Sequence, residues 1–398
     1  MRAAALLLAV LSAMPAAAQH AGHGDGHAAH GQGGGMRGGS DERNASAAVD
    51  AAGNLWTVYK EAGRIAVRRS ADGGRTWGAP TFVTPAAEPI DSGGDARPKI
   101  AAGPGGEIYV TWTRPLSKPY TGEIRFSRSV DGGTSFSPPA IVHADRQVIT
   151  HRFDSLAVNA KGQVFVAWID KRDQEARRGK GPAYRGAAIY WAVSDDRGAS
   201  FRGDFKLADY SCECCRIALH ERADGGFDAL WRHVFEPNIR DHALGVLAPD
   251  GRAGRVTRAT FDDWRSDVCP HHGPSLAADA AGRLHAVWFT GAPAHTGVYY
   301  GRLADGRVEG QRRIGGPAAE HADLAAAGDR LAIAWKEFDG ARSRLRAMRS
   351  DDAGATWREA ELGASAGPSG NPQVLVRAGG FLVFWNTRDA PLSVAPLP

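Results

Sequence analysis

Cysteine is scarce in this chain and unevenly placed. Of four in 398 residues, three lie in Ser211-Cys212-Glu213-Cys214-Cys215-Arg216, and the fourth, Cys269, opens a Cys-Pro-His-His-Gly stretch. Cysteines used as small hydrophobes scatter through a core, so clustering beside histidines points to a soft metal, a redox reaction or a disulfide. Long apolar runs are missing beyond the first residues, so no membrane-spanning segment is expected in the mature chain. Runs of Lys and Arg interleaved with aromatics are also missing and the formal charge is only +4, which argues against nucleic acid as a partner. What is abundant is glycine: 50 Gly with 22 Pro point to many tight turns rather than long helices.

Arg2, the apolar run Ala3 to Val10, and Ala16-Ala17-Ala18 ahead of Gln19 read as an export signal over residues 1–18. A periplasmic or secreted product is therefore expected, in a compartment where disulfides persist. Residues 19–41 form a Gly/His-rich arm in which His20, His23, His27 and His30 recur three or four apart, with Met36 beyond. Such a segment cannot bury a core and is expected to be disordered, its imidazoles available to Cu(II), Zn(II) or Ni(II).

Residues 42–398 repeat. A short strand, a Gly turn and a second strand ending in an aromatic recur seven times, closing on Tyr59, Trp112, Trp168, Trp231, Trp288, Trp335 and Trp385. Spacings of about 50 to 60 residues suit one four-stranded blade each. The expectation is an all-β propeller of seven blades, with six blades and an irregular hairpin as the alternative. The aromatic column is expected to be core between blades. A second motif, S-x-D-x-G-x-[ST]-[WF], occurs at Ser70–Trp77, Ser129–Phe136, Ser194–Phe201 and Ser350–Trp357, with Asp-Gly remnants at Asp250-Gly251 and Asp305-Gly306. It predicts a hairpin turn in which Asp accepts backbone N–H bonds, Gly takes positive φ and the aromatic packs beneath.

These motifs are Asp-boxes, and the chain resembles the sialidase-like, BNR-repeat β-propellers. The resemblance implies the fold far more strongly than an activity, because Asp-boxes staple turns at the blade periphery in enzymes and receptors alike. Sialidases of this family carry a Phe/Tyr-Arg-Ile-Pro motif, three arginines for the substrate carboxylate, a Tyr/Glu nucleophile pair and an Asp acid. Here the nearest string to the first is Asp95-Ala96-Arg97-Pro98-Lys99-Ile100, which lacks the aromatic and the order. Arg97, Arg152 and Arg216 could converge at the axis with Asp154 nearby, but no tyrosine is assignable as nucleophile. The sequence therefore leans away from an enzyme; the enzymatic alternative is an exo-sialidase-like glycosidase.

Aligned on the closing aromatics, Cys214-Cys215 is equivalent to His271-His272 and to His151-Arg152, with Glu320 and His321 at nearly the same level. Residues at one level of consecutive blades ring the central channel, where propellers bind ligands. Cys212, Cys214, Cys215, Cys269, His271 and His272 are thus expected to meet at one mouth as a metal site, with His151 and His321 as weaker candidates beside the His20–His30 arm. Thiolates with imidazoles suit Cu(I) or Zn(II), copper first, in a protein that binds metal or delivers it to a metallochaperone or a metal-dependent partner. The alternatives are a glycan-directed hydrolase or lectin using the axial arginines, and a scaffold braced by two disulfides, for instance Cys212–Cys269 and one within the cysteine run; a mixed state has one disulfide bracing the loop and the remaining thiols binding metal. His143, His220, His233, His242, His285 and His295 are expected to be structural, and the insertion carrying Arg172, Asp173, Glu175, Arg177, Arg178 and Lys180 to be a solvated loop or a lid.

Overall fold

Alternation of apolar and polar residues, broken by glycine turns, drives each repeat into an antiparallel sheet with two buried faces. The computed structural model describes residues 44–267 and 271–398. These form seven antiparallel sheets in chain order: six have four strands and the last, Gln373–Arg377, Gly380–Trp385 and Ser393–Leu397, has three among the described residues. The first strands of successive sheets, Ser46–Val49, Lys99–Ala102, His151–Val158, Ala218–Glu221, Ser275–Ala278, Ala319–Ala327 and Gln373–Arg377, pack side by side and the last returns to the first. The chain is a seven-bladed β-propeller whose innermost strands surround the axis.

The closing aromatics sit on the second strand of each blade and are all buried. Packing between sheets leaves their polar N–H groups to be satisfied locally. Trp112 Nε1 donates to Glu88 at 2.8 Å, Trp168 to Asp170 at 2.8 Å and Trp288 to Asp262 at 2.9 Å. Rings of this size each remove roughly 150–250 Å² from water, so truncating one to Ala costs about 3–5 kcal/mol.

The Asp-boxes do more than close their own hairpins. In the second blade Ser135 N and Oγ donate to Asp131 at 3.0 and 2.6 Å, and Gly133 N donates to Ser129 Oγ at 2.8 Å. Gly133 has φ +81° and lies flat against Trp56 of the preceding blade, where a Cβ would overlap the indole. The same docking recurs at Gly74 on Val394, Gly198 on Phe126 and Gly354 on Tyr300. Each turn therefore grips the blade before it, and the first, with Trp77 Nε1 donating to Leu392 O at 3.0 Å, closes the ring onto the last blade.

The insertion in the third blade packs down at its start, while Arg177, Arg178 and Lys180 remain exposed to solvent as expected. Arg172–Arg177 form a short helix, and Arg172 pairs with Asp170 and Asp204 at 2.7 and 2.8 Å while lying over Tyr190. Asp173 accepts from Tyr190 at 2.8 Å and pairs with Lys206 at 3.1 Å, so the segment packs on the outer strands of its own blade. Among the described residues no helix is long and apolar enough to cross a membrane.

Candidate functional site at the channel mouth

Where the innermost strands begin, a short 3-10 turn, Gly94–Ala96, carries Asp95 across the axis. Its buried carboxylate accepts from Gly273 N at 3.0 Å and from Arg216 N and Nη1 at 3.3 and 3.4 Å. Arg216 in turn donates to Pro274 O at 2.9 Å and Ala322 O at 2.7 Å, and lies 3.8 Å from Asp323. One carboxylate and one guanidinium thus tie together blades two, four, five and six. Burial opposes the Asp95 charge, but Arg216, Arg97 and the Gly273 N–H hold its carboxyl below the usual range.

Beside this plug lies a cavity of about 200 Å³, lined by polar groups from six blades that include Arg97, Lys99, Ser155, Arg216, Asp323 and Gln373. Arg97 is buried and donates to Ser46 Oγ at 3.1 Å and Gly94 O at 3.4 Å. Lys99 Nζ donates to the carbonyls of Asp95, at 2.8 Å, and of Arg97. Among the described residues neither cation has a carboxylate within ion-pair distance. Burial pushes both down, Lys99 to about 8. Beneath them Asp154 is fully buried, accepts from Thr111 at 2.5 Å and Thr113 at 3.4 Å, and has its pKa raised by burial.

Of the three arginines singled out in the sequence, Arg97 and Arg216 line the axial cavity. Arg152 does not: it is ion-paired to Asp91, lies over Phe153 and borders a separate surface pocket. Lys99, Asp95 and Asp323 complete the arrangement and were not among the candidates. Lys99 and Asp95 sit in the Asp95–Ile100 string, which signals them by position alone.

The cysteines and histidines form two groups rather than a single one. Cys212, Cys214 and Cys215 are buried together with Ala96, Phe153, Ile169 and Ala187, their Sγ atoms within 4.8 Å of one another. That closeness would suit three thiolates, but Cys214 is disulfide-bonded, so among the described cysteines the thiols are those of Cys212 and Cys215, with Sγ atoms 3.8 Å apart. Cys269 lies outside the described residues, as do His20, His23, His27 and His30. The hydrogen bond from Cys215, with Arg232 and Arg240 nearby, lowers the Cys212 thiol pKa, and the same contact raises that of Cys215.

The second group joins His272 of blade five to Glu320 and His321 of blade six, with ligand atoms within 4.8 Å of one another. His271 faces the cysteine group instead, with its ring centroid 6.3 Å from that of Phe153. His151 is buried in its own blade, stacked on His143 at 4.0 Å and 3.4 Å from Asp145. Of the histidines expected to be structural, His285 contacts Tyr300 at 2.7 Å and Asp279 at 3.2 Å, whereas His233 and His242 each keep one buried ring nitrogen without a hydrogen-bond partner among the described residues.

No family model matches the chain, and no curated protein sequence is similar to it. Solved structures are. An ulvan lyase of a new polysaccharide lyase family is 10% identical over 91% of this chain and 93% of its own, with a TM-score of 0.53. A Hadza microbial sialidase is 13% identical over 86% and 76%, also with a TM-score of 0.53. The α-L-arabinanase of Penicillium chrysogenum is 13% identical over 75% and 92%, with the same TM-score. At these identities the likeness defines the fold, a sialidase-like β-propeller.

Proposed function

We propose that this protein binds an anionic saccharide unit in the axial cavity at the mouth of the propeller. The observation that carries the reading is the pair of cations, Arg97 and Lys99, lining that cavity with no ion-pair partner among the described residues. Placing charge out of water is costly unless a counter-charge compensates it. A ligand carboxylate or sulfate supplies that counter-charge, and a guanidinium fork suits its planar geometry. The volume, about 200 Å³, is below the roughly 300–1,000 Å³ of drug-sized sites and suits a terminal residue rather than a chain segment. The structural neighbours add support by analogy, since they are glycan-active propellers and the ulvan lyase is bound to a GlcA–Rha3S unit.

Binding rather than turnover is the proposal. Glycosidases need two carboxyl groups about 5–10 Å apart across the scissile bond, whereas Asp95 and Asp323 here are engaged by Arg216. The test is a panel of acidic and neutral oligosaccharides read for both capture and cleavage. Selective capture of acidic members, lost in Arg97→Met, supports the reading. Indifference to ligand charge contradicts it, and cleavage dependent on Asp154 replaces it with a hydrolase.

The soft-metal reading keeps one observation in its favour, the Cys212 and Cys215 thiols with Sγ atoms 3.8 Å apart. Two thiolates can hold Cu(I). Copper titration of the protein and of Cys212→Ser decides it: one equivalent of Cu(I) lost in the variant supports a site there, and unchanged uptake removes it.

A further inference from the structure

We infer that His272, Glu320 and His321 form a divalent-cation site of the zinc class, separate from the cysteines and from the saccharide cavity. Three observations place it. First, the donors converge: Glu320 Oε2 lies 3.9 Å from His272 Nε2 and 3.9 Å from His321 Nε2, with the imidazole centroids 4.1 Å apart. In a tetrahedral zinc shell with bonds of about 2.0–2.2 Å, neighbouring ligand atoms lie about 3.3–3.6 Å apart. Each 3.9 Å pair closes with a shift of a few tenths of an ångström, and the histidine nitrogens, within 4.8 Å, close with a shift of about 1 Å shared between the two rings.

Second, the side chains are built into the fold while the approach stays open. His272 and His321 are mostly buried, at 15% and 14% exposure, and Glu320 is 36% exposed. An ion can therefore enter from the mouth and complete its shell with water, as three-ligand sites require.

Third, the backbone allows it. The innermost strand of blade six shifts register between Glu320 and Asp323, and His321 takes φ +53°. The same shift with a left-handed residue occurs at Phe153 in blade three, so the bulge is a feature of the propeller's innermost strands that this site makes use of. Here the bulge sets adjacent residues 320 and 321 around one point instead of on opposite faces of the strand. Lys336 Nζ, 3.4 Å from Glu320 Oε1, holds the other carboxylate oxygen and leaves Oε2 facing the rings.

The experiment uses the full chain with His20, His23, His27 and His30 replaced by Ala, so that the arm contributes no ligands. One equivalent of zinc is expected, with an X-ray absorption first shell of imidazole nitrogen and oxygen and no sulfur. His272→Ala and His321→Ala should each weaken binding at least tenfold. Lys336→Met, which frees the second carboxylate oxygen, should tighten it several-fold. A sulfur-containing shell, zinc affinity unchanged in both histidine variants, or no zinc retained by the arm-free chain would each overturn the assignment. The spectroscopic readout needs no substitution in the site, so misfolding of a histidine variant leaves the test intact.

Discussion

Lys99→Met should change the pH dependence of stability in the way expected of a desolvated cation whose nearby carboxylates, Asp154 and Asp95, only partly offset the penalty. Burial lowers the Lys99 pKa from 10.5 to about 8. At 1.36 kcal/mol per pH unit that displacement is about 3 kcal/mol of penalty for the charged form in the folded state. Below pH 8 both states hold the proton and the folded protein bears the full penalty. Between pH 8 and 10.5 the unfolded chain keeps a proton that the folded chain has released, so stability rises with pH across that window. Removing the amine abolishes the slope. It also removes hydrogen bonds to the carbonyls of Asp95 and Arg97, costing about 1–3 kcal/mol at every pH. The net change at pH 7 is therefore small, but the variant's stability relative to wild type should fall by about 3 kcal/mol between pH 7.5 and 10.5. Urea unfolding of both proteins across that range measures it. Tyrosines such as Tyr109, pushed up to about 12 by burial, act in the opposite sense above pH 10 and cancel in the difference. A pH-independent difference would refute the desolvation penalty.

Gly133→Ala should destabilise by about 2–4 kcal/mol, combining left-handed strain with overlap on Trp56, whereas Gly132→Ala, with φ +67° and open space, should cost about 1 kcal/mol; equal shifts in urea midpoint would remove the inter-blade role of the Asp-box. The Ser135 hydroxyl and N–H and the Ser129 hydroxyl lower the Asp131 carboxyl to about 2, so its stabilisation is present above pH 3.8 and is lost as pH falls toward 2. Asp131→Asn should accordingly flatten acid unfolding in that window, followed by tryptophan fluorescence, and an unchanged profile would contradict it. Thiol titration without reductant should find no reactive thiol in the native protein and two after denaturation, because Cys212 and Cys215 are buried thiols and Cys214 is disulfide-bonded; four or none would contradict the assignment.

Fold and site differ in how far the sequence foretold them, and the reasons are physical. The Trp112-to-Trp385 column and the Ser-Asp-Gly turns are local patterns repeated with a fixed period, and repetition makes blade number countable. Level alignment also brought His272 near His321 correctly, because innermost strands of neighbouring blades share a height. It did not separate the cysteines from the histidines, since side-chain direction depends on bulges such as that at His321, which the spacing of residues does not encode. Lys99 and Asp95 escaped notice because their significance lies in partners contributed, or withheld, by blades far away in sequence.

The central claim is that Arg97 and Lys99, which line the axial cavity without an ion-pair partner among the described residues, hold an acidic sugar. Calorimetric titration with N-acetylneuraminic acid and glucuronic acid, against glucose as the neutral control, tests it directly in wild type, Arg97→Met and Lys99→Met. The account predicts binding of at least one acid, none of glucose, and at least tenfold weaker binding in each variant. Equal affinity for glucose, or acid binding untouched by both substitutions, would contradict it.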